Sequence, residues 1–412
     1  MNHVKVAHVS TVDLVLRMIL NQLRSIRSAG YEVVGISVSG SQVAGLESAG
    51  IRHVSVPMKR DLSPLRDLSS LWHLYWAIRR ENFTIVHTHT PKAGLLGQMA
   101  ARMAGVPIVV NTVHGFYFHE HMHPNARRFY ITMEKIAARC SNLILSQNAE
   151  DIQTAICEHI CPPQKLRFLG NGIDLQCFDP ERVAATDESR CRQELGIAPD
   201  APVVGFVGRL AGRRKGFLDF LAASRLIATK RPDVRFLIAG DTDHGKPDAV
   251  EPSAAADYGI ADRCVFLGYR TNEELPLFYK LMNVLVLPSL FEGVPRVVME
   301  ASAMGTPSVA TDVKGNREAV EHNRNGLLVR FGDVQALAAA VLRILSEPAM
   351  ARRMSNEARR IAIERFDERV VCAKIKSEYA RLLNEMGQGL DAPCTTETVH
   401  LYPEKADPTD AD

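Results

Sequence analysis

The chain reads as an α/β protein of two Rossmann-like βαβ domains facing each other across a cleft. Three observations predict this. Short β-branched runs alternate with helical patterns of roughly ten to twenty residues, as βαβ units require. Several runs are continuously apolar, among them Val203-Val204-Gly205-Phe206-Val207 and Val284-Leu285-Val286-Leu287, which suits strands covered on both faces. The alternation pauses over residues 174–200 and then restarts, so the 412 residues divide into two units of ordinary domain size.

In chain order, strands are expected over 4–10, 33–39, 84–89, 107–113 and 143–147 in the first unit. In the second they are expected over 203–208, 234–240, 264–268, 283–288 and 307–311. The join is placed near residue 185, giving domains 1–185 and 186–366. A final helical pattern covers 367–387. Beyond it, residues 391–412 hold six Asp and Glu against one Lys, so 388–412 is expected to be a disordered acidic tail.

Composition excludes several classes. Hydrophobic residues make up 46% and charged residues 23%, as in ordinary globular domains. The net charge of +2 does not suit a dedicated nucleic-acid binder. No apolar run approaches the roughly 20 residues of a membrane span. Met1-Asn2-His3-Val4 lacks the charged start of a secretory signal, so a cytoplasmic location is expected. The eight cysteines include no Cys-x-x-Cys pair and read as reduced thiols.

Residues 291–307 carry the clearest chemistry. Pro295 suits the first turn of a helix, Gly305 its stop, and Pro307 forbids continuation. A helix of about ten residues should bury Val297, Val298, Ala301 and Met304. Glu300 lies about 60° from Val297 at the edge of that stripe, where a carboxylate needs partners. Glu292 and Gly293 stand just before the helix, where free N–H groups favour an oxygen-rich ligand. The alternative is a capping Glu292 with a salt-bridged Glu300. A second segment ends the apolar strand at Gly208, followed by Arg209 and then Lys215-Gly216. Two cations at a strand–helix turn suit a diphosphate; the alternative is a solvated basic turn. Neither Gly-x-Gly-x-x-Gly nor a Walker-type loop is present here.

Glu292-x7-Glu300, Gly208-Arg209-Leu210 with Lys215-Gly216, and Asn171-Gly172-Ile173-Asp174 together resemble the retaining, GT-B-fold glycosyltransferases of family 4. The resemblance spans residues 3–386 and implies a C-terminal helix that crosses back to the first domain. It implies that Glu300 holds the donor ribose, that Glu292, Gly293 and Val294 hold the donor sugar, and that Arg209 and Lys215 hold the diphosphate. It further implies that His114, in Val113-His114-Gly115-Phe116, lies near the transferred sugar. His87, His89 and Lys92 resemble an acceptor-side loop of members that extend polysaccharide or lipid-linked glycans. Where many members carry a Gly-rich loop, this chain reads Ser10-Thr11-Val12-Asp13, which leaves Asp13 to shape the acceptor pocket.

The implied reaction moves a sugar with retention from a nucleotide-diphosphate donor, UDP-linked by expectation, to a saccharide or lipid-linked glycan in cell-surface polysaccharide synthesis. The catalytic set is His114, Glu292, Arg209 and Lys215. No cofactor and no metal are expected, because the two cations supply the charge and the chain is read as lacking an Asp-x-Asp pair. His119-Glu120-His121-Met122-His123 formally matches a zinc-protease motif, but Pro124 argues against the helix that motif needs. Residues 1–190 hold 20 Lys and Arg against 16 Asp and Glu. Arg17, Arg24 and Arg27, with the pairs Lys59-Arg60, Arg79-Arg80 and Arg127-Arg128, could meet an anionic membrane surface; ordinary solvated helix faces are the alternative. Two other functions fit the layout: a nucleotide-sugar epimerase, and a catalytically idle sugar-nucleotide-binding protein.

Overall fold

The computed structural model describes residues 4–59, 63–119 and 122–387. The first sheet contains β1 (Lys5–Val12), β2 (Glu32–Val38), β3 (Arg52–Ser55), β4 (Ile85–His89), β5 (Ile108–Val113), β6 (Leu143–Ser146) and β7 (Leu166–Phe168). The second contains β8 (Val203–Val207), β9 (Arg235–Ala239), β10 (Cys264–Gly268), β11 (Val284–Leu287), β12 (Ser308–Thr311) and β13 (Gly326–Val329). All pairings are parallel, in the orders β3-β2-β1-β4-β5-β6-β7 and β10-β9-β8-β11-β12-β13. Two doubly wound sheets with helices on both faces are the GT-B arrangement.

Strand alternation sends side chains to two cores per sheet. In the second sheet, Val203, Val207, Leu285 and Leu287 enter one core, while Val204, Phe206, Val284 and Val286 enter the other. In the first, Val4 and Val6 join one core, and Ala7 and Val9 the other. A strand buried on both faces has no polar side, which is why these runs read as continuously apolar.

The ten expected strands all have counterparts. The three that the sequence did not reveal, β3, β7 and β13, are each at the edge of a sheet. The change of domain also falls earlier than residue 185. Ile173 and Phe178 are fully buried in the core of the second domain, so ownership of the chain switches near residue 172. There the outgoing and returning strands of chain touch: Ile173 N donates to Phe366 O at 2.9 Å, and Glu368 N donates to Ile173 O at 3.2 Å. The helix Glu368–Glu385 then lies on the first domain, burying Val371, Ile375, Tyr379 and Leu383 in its core. The expected acidic tail, 388–412, lies outside the described residues, as do Arg60, Glu120 and His121.

Candidate active site

The helix Arg296–Ala303 starts directly after Pro295, as its sequence requires. Glu300 is 3% exposed, deeper than a stripe edge. Tyr279 Oη donates to its Oε2 at 2.9 Å, and Arg296 Nε stands 3.6 Å from its Oε1. Burial raises the Glu300 pKa, while Arg296 and Tyr279 pull it back. The carboxylate thus has the partners its position demands, and both were missed in the sequence.

At the end of β8 the two expected cations are each held by a carboxylate. Arg209 Nη1 donates to Asp243 Oδ2 at 2.8 Å. Lys215 Nζ donates to Glu292 Oε1 at 2.7 Å. Lys215 lies just before the helix Phe217–Lys230, whose N-cap is Gly216. Gly216 has φ +70°, and a Cβ there would collide with the carbonyl of Pro288 at the end of β11, so only glycine fits. That contact ties the cation turn to the strand leading into Glu292. Asp243 belongs to Asp241-Thr242-Asp243, an Asp-x-Asp pair just beyond β9, which corrects the expectation that the chain has none. Asp241 Oδ1 accepts from Tyr269 N at 3.1 Å, so both carboxylates have protein donors.

From the first domain, His114 follows β5, and its backbone carbonyl lies against the donor-side loop. A Cβ on Gly115 would stand 2.6 Å from Gly293 Cα, and one on Gly293 would collide with the His114 carbonyl. The two loops touch backbone to backbone across the cleft. Asn148 Nδ2 donates to Gly293 O at 3.1 Å, and Asn171 Nδ2 donates to Val294 O at 3.3 Å. Val294 is buried. Ion pairs secure the same edge: Arg317 grips Glu150 at 2.8 and 2.9 Å, and Lys314 pairs with Asp151. His119 stacks on Phe291 with ring centroids 5.0 Å apart.

The acceptor-side expectations need correction. His87 and His89 are 0% exposed and cannot touch an acceptor here. They point inward from a central strand whose two faces are both covered. Lys92 is ion-paired with Asp67 at 2.5 Å. Asp13 is committed to the fold, its Oδ2 accepting from Gln42 N at 2.8 Å, and a Cβ on Gly40 would strike that carboxylate. The glycine-free loop is pinned by side chains instead: Thr11 Oγ1 and Thr90 Oγ1 lie 2.9 Å apart. Thr90 adopts φ +67° and ψ 145°, a region nearly confined to glycine. The zinc-like His123 is the N-cap of Pro124–Cys140, outside that helix.

Burial keeps the interior histidines neutral. The His114 imidazole is pulled down to about 4, and His8 to about 3. His87 and His89 also fall well below the ordinary value, again chiefly through burial. In the unfolded chain these rings titrate near pH 6.5. Above that pH both states are neutral and the cluster costs nothing. Below it the unfolded state gains protons that the folded state refuses, so the cluster's share of stability falls by about 1.4 kcal/mol per histidine per pH unit. Glu134, raised to about 7 by burial and by Asp151, acts in the opposite direction between pH 4.5 and 7. We therefore expect four histidines to keep neutral-ring nitrogen-15 shifts from pH 8 to pH 5 in the folded protein. Titration of these four near pH 6.5 would contradict the buried cluster.

Comparison with known proteins settles the family. Residues 201–347 match the model described as "Glycosyl transferases group 1", and residues 15–176 match "Glycosyltransferase Family 4". A UDP-Gal:α-D-GlcNAc-diphosphoundecaprenol α-1,3-galactosyltransferase from Escherichia coli is 30% identical over 383 residues, covering 91% of this chain and 96% of the relative. The chain belongs to the family 4 glycosyltransferases. This glycosyltransferase is also 27% identical over 399 residues to the capsular polysaccharide biosynthesis glycosyltransferase CapM of Staphylococcus aureus, covering 93% of this chain and 99% of CapM. Its fold matches Anabaena Alr3699/HepE, crystallised with UDP-glucose, with a TM-score of 0.78 and 22% identity over 92% of this chain and 100% of the other. In this family 4 glycosyltransferase the matched segments contain the Arg209, Lys215 and Glu292–Glu300 cluster on one side and His114 on the other.

Proposed function

We propose that this glycosyltransferase transfers a sugar, with retention, from a UDP-sugar to a saccharide or lipid-linked glycan during cell-surface polysaccharide synthesis. The observation that carries the reading is the meeting of two loops. Gly293, beside the Lys215–Glu292 pair of the donor domain, lies against His114-Gly115 of the other domain. The donor of the E. coli relative, and its diphosphoundecaprenol-linked acceptor, support the substrate class.

In this reading the diphosphate displaces carboxylates from cations. Arg209 leaves Asp243, and Lys215 leaves Glu292, so charge now paired with those carboxylates transfers to the ligand. Released Glu292 then meets the sugar hydroxyls, beside the Gly293 and Val294 backbone, and Glu300 holds the ribose. As the glycosidic bond breaks, Arg209 and Lys215 stabilise charge developing on the leaving phosphate, a preorganised electrostatic role. The acceptor oxygen bonds the anomeric carbon on the face from which the diphosphate departs, and the leaving diphosphate takes the acceptor proton there, so no side chain forms a covalent bond. Two cations already present make a metal unnecessary.

The reading also places the protein at the cytoplasmic face of a membrane. No single helix among the described residues is long and apolar enough to cross one. The helix Pro64–Glu81 instead exposes Leu65, Leu68, Trp72 and Trp76 along one stripe, with Arg79 and Arg80 in its last turn. Aromatic and aliphatic side chains beside arginines suit an anionic interface. The helices carrying Arg17, Arg24 and Arg27 offer less, because Leu16, Leu20, Leu23 and Ile26 are spent on the core.

The test uses the full chain with a panel of nucleotide sugars. The matching UDP-sugar should raise the melting temperature, by about 2.7 kcal/mol of stabilisation at 100-fold excess over Kd. With a GlcNAc-diphosphate-polyprenol acceptor on anionic vesicles, it should yield an α-linked product from an α-linked donor, and yield should survive exhaustive EDTA. Loss on chelation restored by Mg²⁺ or Mn²⁺ would assign the diphosphate to a metal at Asp241 and Asp243. Turnover of donor without any acceptor would favour an epimerase.

A further inference from the structure

Behind His114 lies a buried chain of hydrogen bonds that the proposed reaction does not use. His114 Nε2 is 3.0 Å from His89 Nδ1, and His89 Nε2 is 3.0 Å from His8 Nδ1. His8 Nε2 is 3.5 Å from Tyr379 Oη, on the returning C-terminal helix. Tyr379 Oη is 2.6 Å from His87 Nδ1, and His87 Nε2 is 2.7 Å from Thr112 Oγ1. His8, His87, His89 and Tyr379 are 0% exposed.

Strand geometry explains the convergence. His8 pairs in register with His87 across β1 and β4, and His89 pairs with Thr112 across β4 and β5. These positions share the face that carries Val6, Ile85 and Val110, against which Tyr379 packs. The first three histidines come near enough to suggest a metal site. Hydrogen bonding argues otherwise: each nitrogen of the three already has a hydrogen-bond partner, and among the described residues no carboxylate joins the cluster.

A neutral imidazole donates at one nitrogen and accepts at the other, so the chain has only two consistent polarities. Asn171 selects between them. Its Oδ1 accepts from Gly172 N at 2.9 Å, and its Nδ2 donates to Val294 O at 3.3 Å. Its Oδ1 therefore receives Gln147 Nε2 as a donor, at 3.2 Å. That leaves the Gln147 carbonyl as the acceptor beside His114, whose pKa it draws upward against burial.

We infer that His89, His8 and Tyr379 are positioning residues that fix His114 as its Nδ1–H tautomer, with the polarity set at the domain interface by Asn171 and Val294. Each group then gives one proton and takes one. Thr112 donates to His87, His87 to Tyr379, Tyr379 to His8, His8 to His89, and His89 to His114 Nε2. The ring N–H at the end of the chain is His114 Nδ1–H, which the Gln147 carbonyl holds at the domain interface and from which a sugar oxygen must take it. Because Val294 belongs to the donor loop, domain contact and His114 tautomer are linked. The catalytic arm of this inference rests on the function proposed above; the tautomer itself does not.

The test is nitrogen-15 NMR of histidine-labelled full-length protein, with kinetics of Tyr379→Phe and His8→Leu. Wild-type His114 should show one protonated Nδ1 and one acceptor Nε2. Tyr379→Phe keeps the ring and removes the hydroxyl, so the fold should persist if His8→Leu fails. It should move His114 toward tautomer averaging and lower kcat roughly tenfold, as small misplacements of reacting groups do, with KM unchanged. A single unchanged His114 tautomer in Tyr379→Phe, an Nε2–H tautomer in wild type, or one tightly held metal per purified chain would each overturn the inference. The NMR result stands even if no donor is ever turned over, which separates this inference from the functional one.

Discussion

His114→Ala should lower kcat by about 10²-fold or more while leaving the affinity for free UDP nearly unchanged. The first half follows from position. His114 lies at the C-terminal end of β5, against the Gly293 loop, where ligands of open α/β sheets bind. Under the function proposed above, an N–H that meets a sugar hydroxyl as the ring gains oxocarbenium character is a transition-state contact, and a 10²-fold loss corresponds to about 2.7 kcal/mol. The second half follows from the division of labour, because Arg209, Lys215 and Glu300 all belong to the other domain. The structure adds a cost that the sequence did not suggest. Removing the imidazole strands His89 Nδ1 in the interior, which should lower stability by about 1–3 kcal/mol. Turnover must therefore be normalised to folded enzyme well below the melting temperature. Near-normal kcat under that condition would reject the catalytic role and leave His114 a structural end of the histidine chain.

Gly293→Ala should abolish most transfer without unfolding either domain. Gly293 is not in the left-handed region, so alanine fits its backbone. The obstacle is wholly across the cleft, where the new Cβ meets the His114 carbonyl. Backbone cannot move aside as a flexible side chain can, so the loops must separate. Separation also loosens Asn148 on Gly293 O and Asn171 on Val294 O. If the closed arrangement is the one that transfers sugar, kcat/KM should fall about 10²-fold or more, since misplacement near 1 Å costs that much. Melting temperature and UDP binding should change little, because both depend on contacts within a domain. Full activity in Gly293→Ala would mean that the reacting conformation is more open than this one.

Much of the fold was legible because strand burial leaves a direct mark. Central strands such as β8 and β11 are covered on both faces and must be apolar throughout. The missed strands mark the opposite limit. Arg52-His53-Val54-Ser55 and Leu166-Arg167-Phe168 are short edges with one neighbour, so little burial is imposed on them and polar residues interrupt the pattern. The boundary near residue 185 was misplaced for a related reason. Asp174-Leu175-Gln176-Cys177-Phe178 resembles a linker by local composition, and only packing reveals Ile173 and Phe178 as core.

The site divides in the same way. Local sequence determined the turn that carries Arg209 and Lys215 and the helix start after Pro295, because glycine and proline act within a few residues; helical spacing put Glu300 only at the edge of the buried stripe, and packing took it to 3% exposure. Local sequence also contained Asp241-Thr242-Asp243, a signal that could have been found. Tertiary structure alone decided which charges meet. Lys215 and Glu292 are 77 residues apart, Arg209 and Asp243 are 34 apart, and His87 and Tyr379 are 292 apart. It also withdrew His87 and His89 from the acceptor pocket. A hydrogen bond depends on distances of a few ångströms between side chains, and only the paired strands, the loops that follow them and the returning helix bring these residues within that reach.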